Sequence, residues 1–228
     1  MTTSSPKNQL RQKQVITIDG PAGAGKSSAA RLLSERLGYL YLDTGALYRA
    51  LAWKIIQKKI GLDDASKIAS FCRPLDIQLL INGARNEVWV DAEHVTPFLR
   101  SPEVSHVASV IAAMPAVRDK LLSVQREIGA QGGVVAEGRD TGTVVFPNAD
   151  IKFFLDANPA VRGNRRHKDL LEQGILNDLS KTKQDLERRD HQDRNRSVAP
   201  LSKDKAAIVI DSTALSLTEV VEKMLTLV

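Results

Sequence analysis

The residues best suited to chemistry are Lys26 and Ser27, which close the run Gly20-Pro21-Ala22-Gly23-Ala24-Gly25-Lys26-Ser27. The spacing is G-x-x-x-x-G-K-[ST], the pattern of a loop that cradles phosphates when a strand precedes it and a helix follows. A polyphosphate needs many donors converging in a small space. Gly20, Gly23 and Gly25 can take positive φ, so that backbone N–H groups point inward. Lys26 supplies a mobile charge for terminal phosphates, and the Ser27 hydroxyl is placed to ligate Mg²⁺. Pro21, Ala22, Ala24 and Ser28 complete the stretch around the triphosphate. A dinucleotide fingerprint fits less well, because Ser28 stands where its third glycine belongs.

The elements that must hold this loop are legible around it. Val15 to Ile18 is a short apolar, β-branched run that suits a buried parallel strand. After the loop, Ala29, Ala30, Leu32, Leu33 and Leu37 share one helical face, and Arg31, Glu35 and Arg36 another. Strand runs recur at 39–42, 134–137, 151–155 and 207–211, and an amphipathic helix closes the chain at 217–227. Alternating strands and helices predict an α/β fold with a five-stranded parallel sheet between helices.

Two strand runs lead into further chemistry. Asp43-Thr44-Gly45 follows the second and can start a helix, with Tyr48 and Arg49 one turn on. Gly138-Arg139-Asp140 follows the third. Either could be structural, as a cap or a local ion pair. Carboxyl ends of parallel strands are also where such sheets bind ligands, and a hydroxyl, an aromatic ring and guanidiniums there suit a second phosphate-bearing substrate.

Between about 71 and 100 the pattern changes. Residues 75–79 and 88–91 alternate, and Asn82-Gly83 between them is a hairpin turn signal. A small antiparallel sheet is expected there. Later, Arg162, Arg165 and Arg166 and the run Glu187 to Arg196 carry dense charge of both signs, which reads as a solvated helical hairpin.

The whole chain narrows the classes. It has 228 residues, a net charge of +5, one cysteine and 4% aromatic residues. One cysteine excludes disulfide frameworks and cysteine zinc sites, and suits a reducing compartment. Cys72 reads as a core residue, and His94 and His106 as structural. The positive balance suits anionic partners, but few aromatics leave little for stacking nucleic-acid bases. Residues 1–13 lack the apolar core of a secretory signal and are expected to be disordered. No run is long enough for a bilayer. The expectations are a cytoplasmic location, no nucleic-acid or membrane partner, and a monomer. A kinase for a hydroxyl acceptor, a nucleotide-driven switch and a basic RNA-binding protein are the competing classes.

The phosphate loop followed by D-[ST]-G-x-x-Y-R at 43–49 and by G-R-D-x-G-T-V-V-F-P at 138–147 resembles the cytidylate kinases of bacterial type. The resemblance runs from about residue 14 to the C-terminus. It implies a P-loop three-layer fold with a five-stranded parallel core over 14–62 and 106–228. It also implies an inserted antiparallel-sheet monophosphate-binding domain at 63–105 and a helical lid at about 158–196. The implied reaction passes the γ-phosphoryl group of ATP, bound with Mg²⁺, to CMP or dCMP.

Carried over residue by residue, ATP is held by Gly20 to Ser28 and Arg162. CMP is held by Thr44, Tyr48, Arg49, Ser109, Arg118, Arg139, Asp140, Arg189, Asp193 and Arg196. Lys26, Arg139, Arg166 and Arg189 carry the catalysis. Ser109 and Arg118 come from the segment that would reach the pyrimidine. Asp140 would accept from the exocyclic amine that distinguishes cytosine from uracil. R-D-x-x-D-x-x-R, matched at Arg189, Asp190, Asp193 and Arg196, would reach the acceptor. Two positions depart from the family's pattern: Ala206 stands where an Asp is usual, and Thr141 where an apolar residue is usual.

Overall fold

The computed structural model describes residues 13–82 and 85–228. The tail expected to be disordered lies outside the described residues except for Lys13, and the hairpin's Gly83 lies outside them as well. The chain opens with β1 (Val15–Asp19), the glycine loop and α1 (Lys26–Leu37), then β2 (Leu40–Asp43) and α2 (Thr44–Gln57). Asp43 caps α2 by accepting from the N–H of Ala46 at 3.0 Å, so the Asp-Thr-Gly start is a helix N-terminus.

Next come α3 (Ala65–Cys72), β3 (Ile77–Asn82), β4 (Arg85–Val90) and β5 (Glu93–His94). The three strands form the expected antiparallel sheet, with β4 in the middle. Two pieces were not read from the sequence. α3 is one short amphipathic stretch capped by Asp64, and β5 has only two residues. Both are too short to show a period.

The chain returns through α4 (Pro102–Ile111) and α5 (Pro115–Gly129) to β6 (Val134–Gly138). A single turn of π-helix, Thr141–Val145, leads on to β7 (Ile151–Asp156). Then follow α6 (Pro159–Glu172), α7 (Leu179–Asn195), β8 (Ile208–Asp211) and α8 (Leu217–Leu225). α6 and α7 are the expected charged hairpin.

The large sheet runs β2-β6-β1-β7-β8, and all its pairs are parallel. Alternation along β6 decides which layer each residue joins. Val135 packs with Ala29, Leu33 and Met224 under α1 and α8. Val134 and Ala136 point to the other face, with Ile128 of α5 and Phe146. Burial on both faces is why these strands read as apolar runs. The small sheet buries Val88 and Val90 in a cluster shared with Leu47 and Leu51 of α2, Ile111 of α4 and Leu121 of α5. Cys72 sits in that cluster, where burial pushes its thiol up to about 11. Across β4 and β5, His94 stacks on Trp89 with centroids 5.0 Å apart.

The turn before β8, where Ala206 departs from the expected pattern, is held from two residues upstream. The Asp204 carboxylate accepts from the N–H of Ala206 at 2.8 Å and pairs with Lys152 at 2.9 Å. The turn is therefore capped without an acid at 206.

Candidate active site

β1 ends at the centre of the sheet, and the glycine loop crosses its carboxyl edge. Gly20, Gly23 and Gly25 all have positive φ, as the pattern requires. Gly20 has φ 148°, and a Cβ there would come 2.0 Å from the Leu155 carbonyl oxygen. Gly25, with φ 91°, ends the loop as the N-cap of α1. It faces open space, where the first N–H groups of α1 and the positive end of its dipole are available to an anion.

Lys26 is buried, and its Nζ donates to the Pro21 carbonyl at 2.7 Å. Burial, together with the Arg139 guanidinium, pushes its ammonium down, against the opposing pull of Glu137. The Ser27 hydroxyl donates to Glu137 Oε1 at 2.7 Å, and the Tyr41 hydroxyl donates to the same oxygen at 3.3 Å. Glu137 is the penultimate residue of β6, so the strand pairing with β1 sets this carboxylate beside the loop. Burial, then Asp43, pushes its carboxyl up, while Lys26 opposes. No group of three or more His, Cys, Asp and Glu that could hold a metal ion occurs among the described residues. A hydroxyl and a carboxylate are hard oxygen donors of the kind Mg²⁺ takes when most of its remaining ligands are phosphate and water. Ser27 and Glu137 therefore fit that ion.

A cleft of about 600 Å³ runs from Ala22–Ser28 to Arg118, Asp140 and Arg196. Every expected acceptor-side residue lines it: Thr44, Tyr48, Arg49, Ser109, Arg118, Arg139, Asp140, Arg189, Asp193 and Arg196. They come from α2, α4, α5, the end of β6 and α7 with its C-cap, so no sequence-local element assembles this wall.

Asp140 pairs with Arg118 and, at 3.2 Å, with Arg196. The Arg118 guanidinium also lies 5.8 Å from the centroid of the Tyr48 ring. Asp193 accepts from Arg139 Nε at 2.8 Å and from the Ser109 hydroxyl at 3.4 Å. Burial pushes the Asp193 carboxyl up, but Arg139, Arg189 and Arg196 together hold it below its ordinary value. Burial pushes the Arg139 guanidinium down, but Asp193, Glu137 and Asp190 together raise its pKa above the ordinary value. Arg189 differs. Its Nε is buried without a hydrogen-bond partner among the described residues, and burial beside Arg139 pushes its pKa down to about 10. An under-neutralised guanidinium at a cleft wall is set up for an anion.

The hairpin contributes differently at its two helices. Arg166 lines the cleft, as does Arg165, which holds Ser212 at the end of β8 through contacts of 2.9 and 2.7 Å. Arg162 does not line it. It is buried under the loop, with Nε on the Ala157 carbonyl at 3.0 Å, a terminal nitrogen on the Ala22 carbonyl at 2.9 Å, and Asp190 as its ion-pair partner. Asp190 also accepts from the N–H of Ala22 at 3.1 Å. Asp190 thus faces the glycine loop, while Asp193, one turn on, faces the acceptor end.

Glu137, Leu215 and Leu217 were not singled out from the sequence. Glu137 could have been found, as a carboxylate at a core strand's carboxyl end. Leu215 and Leu217 wall the cleft next to the loop, and nothing local marks them.

A strand–glycine loop–helix unit at the centre of a parallel sheet ordered β2-β6-β1-β7-β8, with a small antiparallel sheet and a helical hairpin facing it, defines a P-loop kinase fold. A shikimate kinase from Acinetobacter baumannii, solved with shikimate, shares that fold at a TM-score of 0.52 and 16% identity, over 96% of this chain and 94% of its own. The sequence is more specific. The Cytidylate kinase family profile matches residues 16–228. A cytidylate kinase of a Geobacillus species is 43% identical over 219 residues, 96% of this chain and 98% of its own. One from Colwellia psychrerythraea is 45% identical over 212 residues, 92% and 94% of the two chains. The chain belongs to the cytidylate kinase family.

Proposed function

We propose that this protein transfers the γ-phosphoryl group of ATP to CMP or dCMP, giving ADP and CDP or dCDP, within pyrimidine nucleotide metabolism. The observation that carries the reading is the single cleft joining the phosphate loop to Asp140, a buried carboxylate between two guanidiniums. Relatives named cytidylate kinase support it. Residues 63–105 then form the acceptor-binding insertion and 158–196 the lid. A cytoplasmic location and a monomer complete the proposal; the lone cysteine suits a reducing compartment.

ATP lies with its triphosphate on residues 20–28 and its base against Leu215 and Leu217. Lys26 turns from the Pro21 carbonyl to the β- and γ-phosphates, and the added negative charge reverses the downward push on its ammonium. Ser27 and Glu137 would hold Mg²⁺, which when bound would supply charge neutralisation to the phosphates. Arg162 and Asp190 act through the loop, by fixing the peptide of Ala22. At the other end Asp140 accepts from the cytosine amine, beside Ser109 and Arg118. Arg139 and Arg49 take the monophosphate, Arg189 and Asp193 lie near the ribose, and Arg196, paired with Asp140, lies near the base or phosphate.

The acceptor is a phosphate oxygen whose second pKa is about 6, so it is already ionised near neutral pH. No general base is required. The barrier is the approach of two polyanions, which at 4 Å repel by about 4 kcal/mol per pair of unit charges at an effective dielectric of 20. Lys26, Arg139, Arg166 and Arg189 oppose that repulsion as charge spreads over the transferred group. Closure of the hairpin excludes water, which would otherwise take the phosphoryl group.

Mixing the protein with Mg-ATP and each nucleoside monophosphate in turn, and following ADP release, tests this. CMP and dCMP should be the fastest acceptors. No release with CMP, or equal rates with all monophosphates, would overturn it.

A further inference from the structure

Asp19 is the last residue of β1 and is buried. It does not line the cleft, yet it stands directly before Gly20, the first residue of the phosphate loop. Its two carboxylate oxygens accept three hydrogen bonds from a segment more than a hundred residues away. Oδ1 takes the N–H of Thr141 at 2.8 Å and the Thr141 hydroxyl at 2.5 Å. Oδ2 takes the N–H of Gly142 at 2.7 Å. Burial pushes the Asp19 carboxyl up, and these three donors pull it down.

The bonded segment is the one that carries the acceptor pair. Three consecutive side chains leave it in three directions: Arg139 to Asp193, Asp140 to Arg118 and Arg196, and Thr141 back to Asp19. Gly142 lets the segment press against β1. A Cβ there would come 2.8 Å from Thr17 Oγ1 and 3.3 Å from Asp19 Oδ2.

We propose that Asp19 is a positioning residue that ties the start of the phosphate loop to the Arg139–Asp140 pair, and so sets the distance between donor phosphates and acceptor. The inference rests on the reading of Arg139 and Asp140 as acceptor-binding groups. Asp19 touches neither substrate. Adjacent Cα atoms are about 3.8 Å apart, so a change in the bonds at Thr141 passes directly to Asp140. A misplacement of about 1 Å can cost on the order of 100-fold in rate.

Asp19→Asn keeps the shape but sets an amide NH₂ against a backbone N–H of Thr141 or Gly142. The expected result is a fall in kcat/KM for CMP of about tenfold or more, with the KM for ATP within about threefold of wild type. The preference for CMP over UMP should narrow at the same time, about fivefold or more, because Asp140 no longer sits squarely on the amine. A merely structural residue would lower the melting temperature and leave that preference alone. A folded Asp19→Asn protein with unchanged preference overturns the inference.

If Asp19→Asn does not fold, a milder pair carries the test. Thr141→Val removes the hydroxyl donor and should narrow the preference roughly threefold, and Thr141→Ser should restore it. Wild-type preference in both overturns the inference. A wild-type enzyme with no preference for CMP over UMP is a different result: it overturns the reading of Asp140, and this inference with it.

Discussion

Replacing Asp140 by Asn is the sharpest probe of how this protein would tell cytosine from uracil. The carboxylate is held between Arg118 and Arg196, at 3.2 Å from the latter, in surroundings that exclude most water. With CMP, the variant exchanges a charge-assisted hydrogen bond to the exocyclic amine, worth about 1.5–3 kcal/mol, for a neutral one worth about 0.5–1.5, a loss of about 1–1.5 kcal/mol. With UMP, the carboxylate faces the O4 carbonyl, acceptor against acceptor. The new amide can donate there, a gain of about 0.5–1.5 kcal/mol. The two changes add in the ratio. The preference for CMP over UMP should fall by about 1.5–3 kcal/mol, roughly one to two orders of magnitude in kcat/KM. Asn at 140 also leaves Arg118 without its counter-charge and Arg196 with only Asp193, 4.0 Å away, and breaking such a buried pair costs about 3–5 kcal/mol of stability. Absolute rates would then mix folding with chemistry. Measuring both acceptors on one preparation cancels the folded fraction. Equal losses with CMP and UMP would refute the argument, because Asp140 would then act through Arg118 and Arg196 alone.

Lys26→Met should leave the melting temperature near that of wild type, since the buried ammonium is replaced by an apolar chain of similar length. Turnover should fall by about two orders of magnitude or more for want of charge on the transferred group, and near-normal ADP release would remove Lys26 from that role. Asp193 predicts an acid limb in stability. Its carboxyl is held below the ordinary 3.8 in the folded protein, so the stability it contributes is complete above that value and is lost as pH falls through the lower, folded one. Denaturant melts of wild type and Asp193→Asn should therefore differ most near neutral pH and converge as the pH drops below about 4. A gap that stays constant to pH 2 would show that the three arginines do not hold this carboxylate.

The sequence by itself determined the chemistry at the loop and the class of the fold. Gly20 to Ser27 carries its proposed role locally, because a phosphate cradle is made of consecutive backbone N–H groups whose requirements fall on consecutive residues. The five core strands were legible because burial on both faces leaves an apolar run, whereas α3 and β5 are too short to carry a period. At the site, local reading found residues and tertiary structure found partners. Asp190 and Asp193 are three apart in one charged run, yet the turn of α7 sends the first to the glycine loop and the second to Arg139 and Ser109. Arg162 and Arg166 part in the same way, one under Ala22 and the other in the cleft. Glu137 reaches Ser27, and Asp19 reaches Thr141, only because β6 lies beside β1 in the sheet. Those contacts span more than a hundred residues and arise from strand order. A linear pattern does not encode strand order, because it is fixed by which apolar faces bury one another.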